Sequence, residues 1–595
     1  MQNVSQEWKD NQNNQLVKES DIEISLKLTD PDAYEDASAT DNGHNATISD
    51  TNHIVSDGEK NIRPYATLER NLWLLDGSRE IVPVSNSGER GFVGNVICGA
   101  DGAFSANPVV SINFTKVHTK MLQGVTITWS KFLNEYAKEF KVTAYNGSAV
   151  VSTQTVTDNT SVKSSVLLDM VNYDKITIEI IKWSIGYRRA RIDEVFTGVN
   201  VVFSKKDIFS YSSSYSADPI SAELPKSEAS FSLNNVGKVF NPYNTEGLSK
   251  YLVERQEISV KYGYKLDSGV EWISGGKFYL SEWDAEQGGI SADFTARDLL
   301  EFMTDVYHKG LYNANGTSLY NLAEDVLLDA DLPVLSNGSV KWVIDEKLKS
   351  IYTIAPLPID THANCLQMIA NAGGCVIYQD REGILHITDI SSIVNSDYVI
   401  SDFNSYSKSG LSISKPLKQV DVPCYSYSVS TATTELFKGT MNINGTLEVL
   451  ITYSGMATNV SAKLSTGTLN SATYYSNACM LKITATGDVT ITVTGYNIES
   501  SSARVSTINS DSGETVTVDN PLITNQARAS AIGLWVKDYM KNRNIVSSSW
   551  RADPRLDALD LIKTENEYGS NNMRITNVEY SYNGAFRGSG EGRVV

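Results

Sequence analysis

At 595 residues the chain exceeds what one hydrophobic core can hold, so roughly three to five domains are expected. Its 51 basic and 70 acidic residues give a net charge of −19, which argues against a nucleic-acid-binding surface, because phosphate contacts need clustered Lys and Arg. With 41% hydrophobic and 20% charged residues it can build cores, and 30 Tyr against 16 Phe suits half-exposed β-surfaces better than helical bundles.

The first twenty residues hold no apolar stretch, and no run of 18 apolar residues occurs anywhere. Neither a secretory signal nor a membrane-spanning helix is therefore expected. Residues 1–64 read as an arm and loop: a short polar helix with Trp8, Leu16 and Val17 as anchors, a strand in which Ile22, Ile24 and Leu26 alternate with polar residues, then a turn-rich segment at 30–53. Residues 65–204 read as a β-sandwich. Val125, Ile127 and Trp129 alternate with Thr, as do Ile176, Ile178 and Ile180 with polar residues, and Asn146-Gly147 marks a hairpin. Only 131–140 suggests a helical turn.

Residues 205–304 read as strands of sandwich or barrel type, closed by a short helix at ARDLLEFM. From 305 to 394 the period changes to that of a small α+β unit. Leu319, Leu322, Ala323, Val326 and Leu327 fall at helical spacing behind the cap Ser318. A second helix spans about 361–372, with Thr361 as cap, Leu366, Ile369 and Ala370 as its buried stripe and Gly373-Gly374 as its stop. A hairpin follows. Strands return in 395–435 and 521–595, around an inserted small sandwich at 436–520 in which Val489, Ile491 and Val493 face opposite to Thr490, Thr492 and Thr494. A helix at about 522–542 carries Ala531, Leu534, Trp535 and Tyr539 on one stripe. The expected fold class is thus mainly β and multidomain.

Catalytic signatures are missing. The six His have no i,i+4 pair, and HExxH, GxSxG, a Walker loop and a helix-opening GxGxxG are all absent. GSGEG at 588–592 reads as a flexible tail. Cys98, Cys365, Cys375, Cys424 and Cys479 form neither CxxC pairs nor a disulfide framework. Asp30, Asp32, Glu35, Asp36 and Asp41 gather in one loop, either as a solvated acidic loop or as oxygen ligands for Ca²⁺, though not at EF-hand spacing. Asp553, Asp557 and Asp560 offer either turn and barrel-rim roles or a glycosidase-like carboxylate pair. Trp73, Trp129, Trp183, Trp272 and Trp283 alternate with polar residues, as core members do, and sugar stacking is the other reading. No catalytic residue, metal or cofactor is assigned.

Four runs carry a resemblance: EISLKLTDPDA with YATLERNLWLLDG, then SAELPKSEASFSLNN through FTARDLLEF, then THANCLQMIANAGGCVIYQDREGILHI, and finally SSSWRADPRLDALDLIKTENE through MRITNVEYSYNGAFRGSGEGR. Together they resemble baseplate or tail-tip hub proteins of phages and tail-like particles of Gram-positive hosts. The resemblance implies a non-enzymatic homotrimer made in the host cytoplasm and built into the virion tail. Two tail-tube-like β-barrels per chain would flank the α+β unit. The six-fold tube or distal tail protein would meet the three-fold tip or spike there, with peripheral baseplate proteins anchored alongside and DNA passing only in transit. An acidic lining would not adhere to that DNA. LWLLDGSREIV and YRRARIDEVFTGV resemble discoidin-like jelly rolls, which often bind cell-surface carbohydrate. The competing functions are a carbohydrate-binding adhesin or receptor-binding tail component and a cell-wall-degrading enzyme.

Overall fold

Ile22, Ile24 and Leu26 alternate with polar residues, and Ser20–Leu28 is accordingly a strand with a buried inner face. In the computed structural model it lies between Glu257–Leu266, with Ile24 opposite Val260, and Val199–Ser204, with Leu28 opposite Val199. The structure describes all residues except 15, 29–32, 34–35, 56–68, 71, 73–90, 120–121, 245–246, 250–251, 253, 331, 333–341, 394, 552 and 568.

The fold is mainly β and multidomain, as the composition led one to expect, and its base is a thirteen-stranded sheet. From Val199–Ser204 and Ser20–Leu28 the order continues through Glu257–Leu266, Gly269–Asp284, Ser291–Arg297, Lys226–Asn234 and Ile208–Ser216. It then passes without a break into Gly569–Tyr582, Phe586–Val594, Asn544–Arg551 and Gly410–Ile413. The two stretches that resemble hub barrels therefore join edge to edge, with Tyr211 opposite Tyr582 and Ser216 opposite Asn577. They also share one core, in which Val260, Tyr262 and Phe294 belong to the same cluster as Trp550, Val578 and Phe586.

The GSGEG run is no tail. It lies in the strand Phe586–Val594, and its glycines make room for Trp550. A Cβ at Gly588 would stand 2.9 Å from that indole, and one at Gly590 would stand 2.6 Å from the Asn577 carbonyl.

Everything between Leu28 and Val199 is one insertion. A five-stranded sheet, in the order Ser38–Asp41, Val109–His118, Tyr173–Trp183, Ala137–Asn146 and Ala149–Val156, shares a core with the three-stranded sheet Glu194–Phe196, Leu122–Thr128 and Lys163–Met170. Part of the turn-rich segment thus serves as an edge strand. The hairpin forms at Asn146-Gly147, where Gly147 has φ +58°. Residues 131–140 are not helical: a turn leads into the strand from Ala137. Irregular pairing at Glu139 shifts the phase of that strand, so Ala137 and Phe140 are both buried at a helix-like spacing of three.

The α+β unit forms as its caps foretell. Ser318 Oγ accepts the N–H of Asn321 ahead of helix Leu319–Asp329, and Thr361 Oγ1 accepts that of Asn364 ahead of helix His362–Ala372. The hairpin strands Val376–Gln379 and Leu385–Thr388 follow. Helix Gln526–Met540 packs on this unit with a different stripe from the one expected. It buries Ala529, Ile532, Gly533 and Val536, while Leu534 is half exposed. The small residues decide the matter, because a Cβ at Gly533 would stand 2.3 Å from Thr507 Oγ1.

Two very long strands, Leu417–Thr452 and Ala478–Ile508, pair along their length. Their base joins the core of the α+β unit through Leu417, Val420 and Val422. Farther out Gly445 (φ +109°) and Gly487 (φ +98°) adopt, within the paired strands, conformations that side chains disfavour. Ala457–Leu464 and Thr468–Tyr474 flank them, and the N–H of Ala462 donates to Tyr474 Oη at 3.1 Å. Ile443, Ile451, Leu481 and Ile491 share one buried cluster within this single five-stranded sheet.

Candidate functional site

The seam between the two halves of the sheet is where sequence-distant chemistry converges. Asp380 closes the hairpin turn of the α+β unit by accepting the N–H groups of Glu382 and Ile384, both at 2.9 Å, while Gly383 takes φ +79°. This turn drives Arg381 into the seam, where only 4% of the residue is exposed.

The guanidinium reaches both halves of the sheet, Nη1 alone bridging Ser274 and Pro554. It donates to the carbonyl of Ser274 in the first half (2.9 Å), and to those of Pro554 and Leu556 in the second (both 2.7 Å). It also pairs with Asp557 at 2.5 Å. The rings of Tyr215, Tyr262 and Tyr580 lie 5.2, 5.7 and 5.8 Å from it. Burial favours deprotonation here, but Asp557 and the neighbouring phenols outweigh it and raise the Arg381 pKa further.

Around the cation the tyrosines form their own network. Tyr262 Oη lies 2.7 Å from Tyr211 Oη and 3.1 Å from both Ser213 Oγ and Tyr215 Oη. Tyr215 donates to the Gly275 carbonyl, and Tyr580 Oη donates toward the carbonyls of Asp553 (3.2 Å) and Leu556 (2.8 Å). Burial pushes the phenols of Tyr211, Tyr215 and Tyr580 well above their ordinary range, which keeps them protonated as donors. Gly275 is required because a Cβ there would stand 2.8 Å from the Tyr262 ring.

The three C-terminal aspartates sit at this seam, each engaged by a cation. Asp553 is fully buried against Arg555, with Trp8 Nε1 at 3.4 Å. Asp557 takes Arg381, and Asp560 takes the Met1 amine at 2.7 Å. Burial, with Asp557 nearby, raises the Asp560 pKa. Carboxylates committed in this way fasten chain segments together.

The other singled-out residues lie apart. Asp36 accepts the Thr115 N–H (2.9 Å) and faces His118 Nε2 at 2.9 Å. These partners outweigh burial and hold its pKa below the usual carboxylate range. Asp41 accepts from Thr51 and the Gly43 N–H. Asp30, Asp32, Glu35 and Trp73 lie outside the described residues. Trp129 and Trp183 meet edge to face in the N-terminal sandwich core (centroids 6.0 Å apart), Trp283 packs on the seam core, and Trp272 is 37% exposed. Among the described residues no group of three His, Cys, Asp or Glu side chains could hold a metal ion, and no helix is long and apolar enough to cross a membrane. Sequence reading passed over Arg381. Its signal was a lone cation inside an Asp-Arg-Glu-Gly turn, a place where arginine is ordinarily solvated.

No protein-family model matches the chain, nor does any curated protein. Among solved structures it is similar to the 43 kDa tail protein of prophage MuSo2 from Shewanella oneidensis, with 10% identity and a TM-score of 0.36 over 66% of this chain and 95% of that one. It is similar to the tail protein from Neisseria meningitidis MC58, with 10% identity and a TM-score of 0.37 over 66% and 93%. A third is the E. coli c3393 protein, described as a type VI secretion component resembling the T4 bacteriophage tail proteins gp27 and gp5, with 9% identity and a TM-score of 0.30 over 65% and 74%. At such scores these likenesses carry no residue correspondence. The structural neighbours of this chain are thus phage tail and type VI secretion proteins.

Proposed function

We propose that the chain is a non-enzymatic structural protein of a phage tail or tail-like particle. It serves as a homotrimeric hub that links the tail tube to the tip and holds peripheral baseplate proteins. One observation carries this reading. Among the described residues the main sheet does not close on itself; Val199–Ser204 stands at one end and Gly410–Ile413 at the other. All four residues of the latter strand are exposed, with Leu411 at 59% and Ile413 at 63%, and the strand holds no Lys, Pro or bulge that would guard a free edge. An unguarded apolar edge suits a head-to-tail interface that closes into a ring. The resemblance of 205–304 and of 395–435 with 521–595 to hub barrels supports the same role, since these stretches meet at the seam.

Native mass spectrometry of the purified chain tests it. Three copies are expected for the wild type and one for the doubly substituted Leu411→Lys, Ile413→Lys chain. A wild type that stays monomeric at every accessible concentration removes the hub. Clearing of cell walls by the isolated chain would remove the non-enzymatic assignment.

A further inference from the structure

The outward face of the seam carries a cleft of about 700 Å³, within the range of small-ligand sites. Its floor is made of the outward positions of strands from both halves, Ser212, Ser230, Ser549, Ser581 and Ser589, and the inward-phased Gly588 also lines it. No floor side chain exceeds a hydroxymethyl group, so the sheet surface sinks there. The walls are large and polar: Tyr406, Arg587, Glu228 and Glu579.

Two features point to a ligand. Tyr406 is 57% exposed although its backbone is pinned, its N–H donating to the Ser549 carbonyl at 3.0 Å. Arg587 stands over that ring at 6.0 Å, and among the described residues its guanidinium makes no hydrogen bond or ion pair. The hydroxyls of Ser212, Ser230 and Ser581 are likewise unused within the described chain, whereas Ser589 donates to Glu579 at 3.3 Å.

The lining selects among ligand classes. An apolar ligand would strip water from a floor of hydroxyls without replacing their hydrogen bonds. Glu228 also stands 3.5 Å from Arg297 Nε, but the lining itself holds two carboxylates and one guanidinium, and that net negative charge opposes a phosphate or an acidic glycan. An added peptide strand would find no backbone ladder, because the floor strands already pair on both sides. A neutral sugar meets every requirement. Its C–H face lies on the tyrosine ring, while its hydroxyls both donate and accept, matching serines, carboxylates and guanidinium together.

We infer that this cleft binds a neutral oligosaccharide, with one ring on Tyr406 and its hydroxyls held by Arg587, Glu228 and Glu579. The assignment is independent of the trimeric hub, because every lining residue comes from a single chain.

Saturation-transfer NMR on the full chain tests it, with N-acetylchitotetraose and maltotetraose as probes. Transfer to at least one probe is expected. Tyr406→Ala and Arg587→Ala should each weaken binding about tenfold without shifting thermal unfolding, since both side chains are exposed. Ser581→Trp, which fills the floor but leaves Tyr406 in place, should abolish binding. Absence of transfer to both probes, affinity unchanged in Tyr406→Ala, or binding that persists in Ser581→Trp overturns the site. Native mass on the same samples reports the hub separately.

Discussion

Leu28 and Val199 stand opposite one another in adjacent antiparallel strands, although the entire N-terminal sandwich lies between them in the chain. The sandwich therefore leaves and re-enters the main sheet at neighbouring points, and its removal opens no gap. Replacing 29–198 by an Asn-Gly turn should give a soluble chain whose circular dichroism and cooperative melt persist, because two residues suffice to join such strands. Loss of cooperative unfolding would mean that the sandwich helps to hold the sheet.

Arg381 holds the seam from the α+β side. Arg381→Met leaves the three carbonyls without a donor and the half-buried Asp557 with only the Met1 amine at 3.3 Å, and should cost about 3–5 kcal/mol in urea unfolding. Asp557→Asn keeps the carbonyl acceptors of Arg381 and should cost less, about 1–3 kcal/mol. Equal losses would show that the ion pair alone carries the contact.

Gly588 and Trp550 form a matched pair across two strands. Gly588→Ala places a methyl group 2.9 Å from the indole and should destabilise the chain by about 1–3 kcal/mol. Trp550→Leu should relieve part of that cost, so the double variant is expected to melt above the sum of the single losses. Strict additivity would separate the two positions.

Asp298 caps the helix Leu299–Phe302 and accepts the Ser227 N–H at 2.7 Å, but it is almost wholly buried and, among the described residues, makes no ion pair. Burial raises its pKa from 3.8 to about 7. The folded state therefore holds this proton more tightly than the unfolded chain does. Its contribution is greatest at low pH and is lost as pH climbs from about 4 through about 7. Asp298→Asn retains an acceptor for the cap and removes the titration. Urea unfolding at pH 5 and pH 8 should show the wild type falling more steeply than this variant; parallel behaviour would place the pH dependence elsewhere.

Much of the local structure was legible in the residues themselves. Alternation marked the strands around Ile22, Ile127, Ile178 and Ile491, and Ser318 and Thr361 announced their helices, because these signals act within a few residues. Errors arose where a neighbour decided. Irregular pairing at Glu139 made a strand look helical, Gly533 set the buried face of its helix through Thr507, and the last glycines looked loose because Trp550 is remote in the chain. The junction itself lay beyond reach. Period-two patterning says which face of a strand is buried but not which strand lies beside it, since backbone hydrogen bonds are the same for every partner. Only the folded chain could pair Tyr211 with Tyr582 and bring Arg381 to Asp557, because those choices rest on packing between segments that are far apart in sequence.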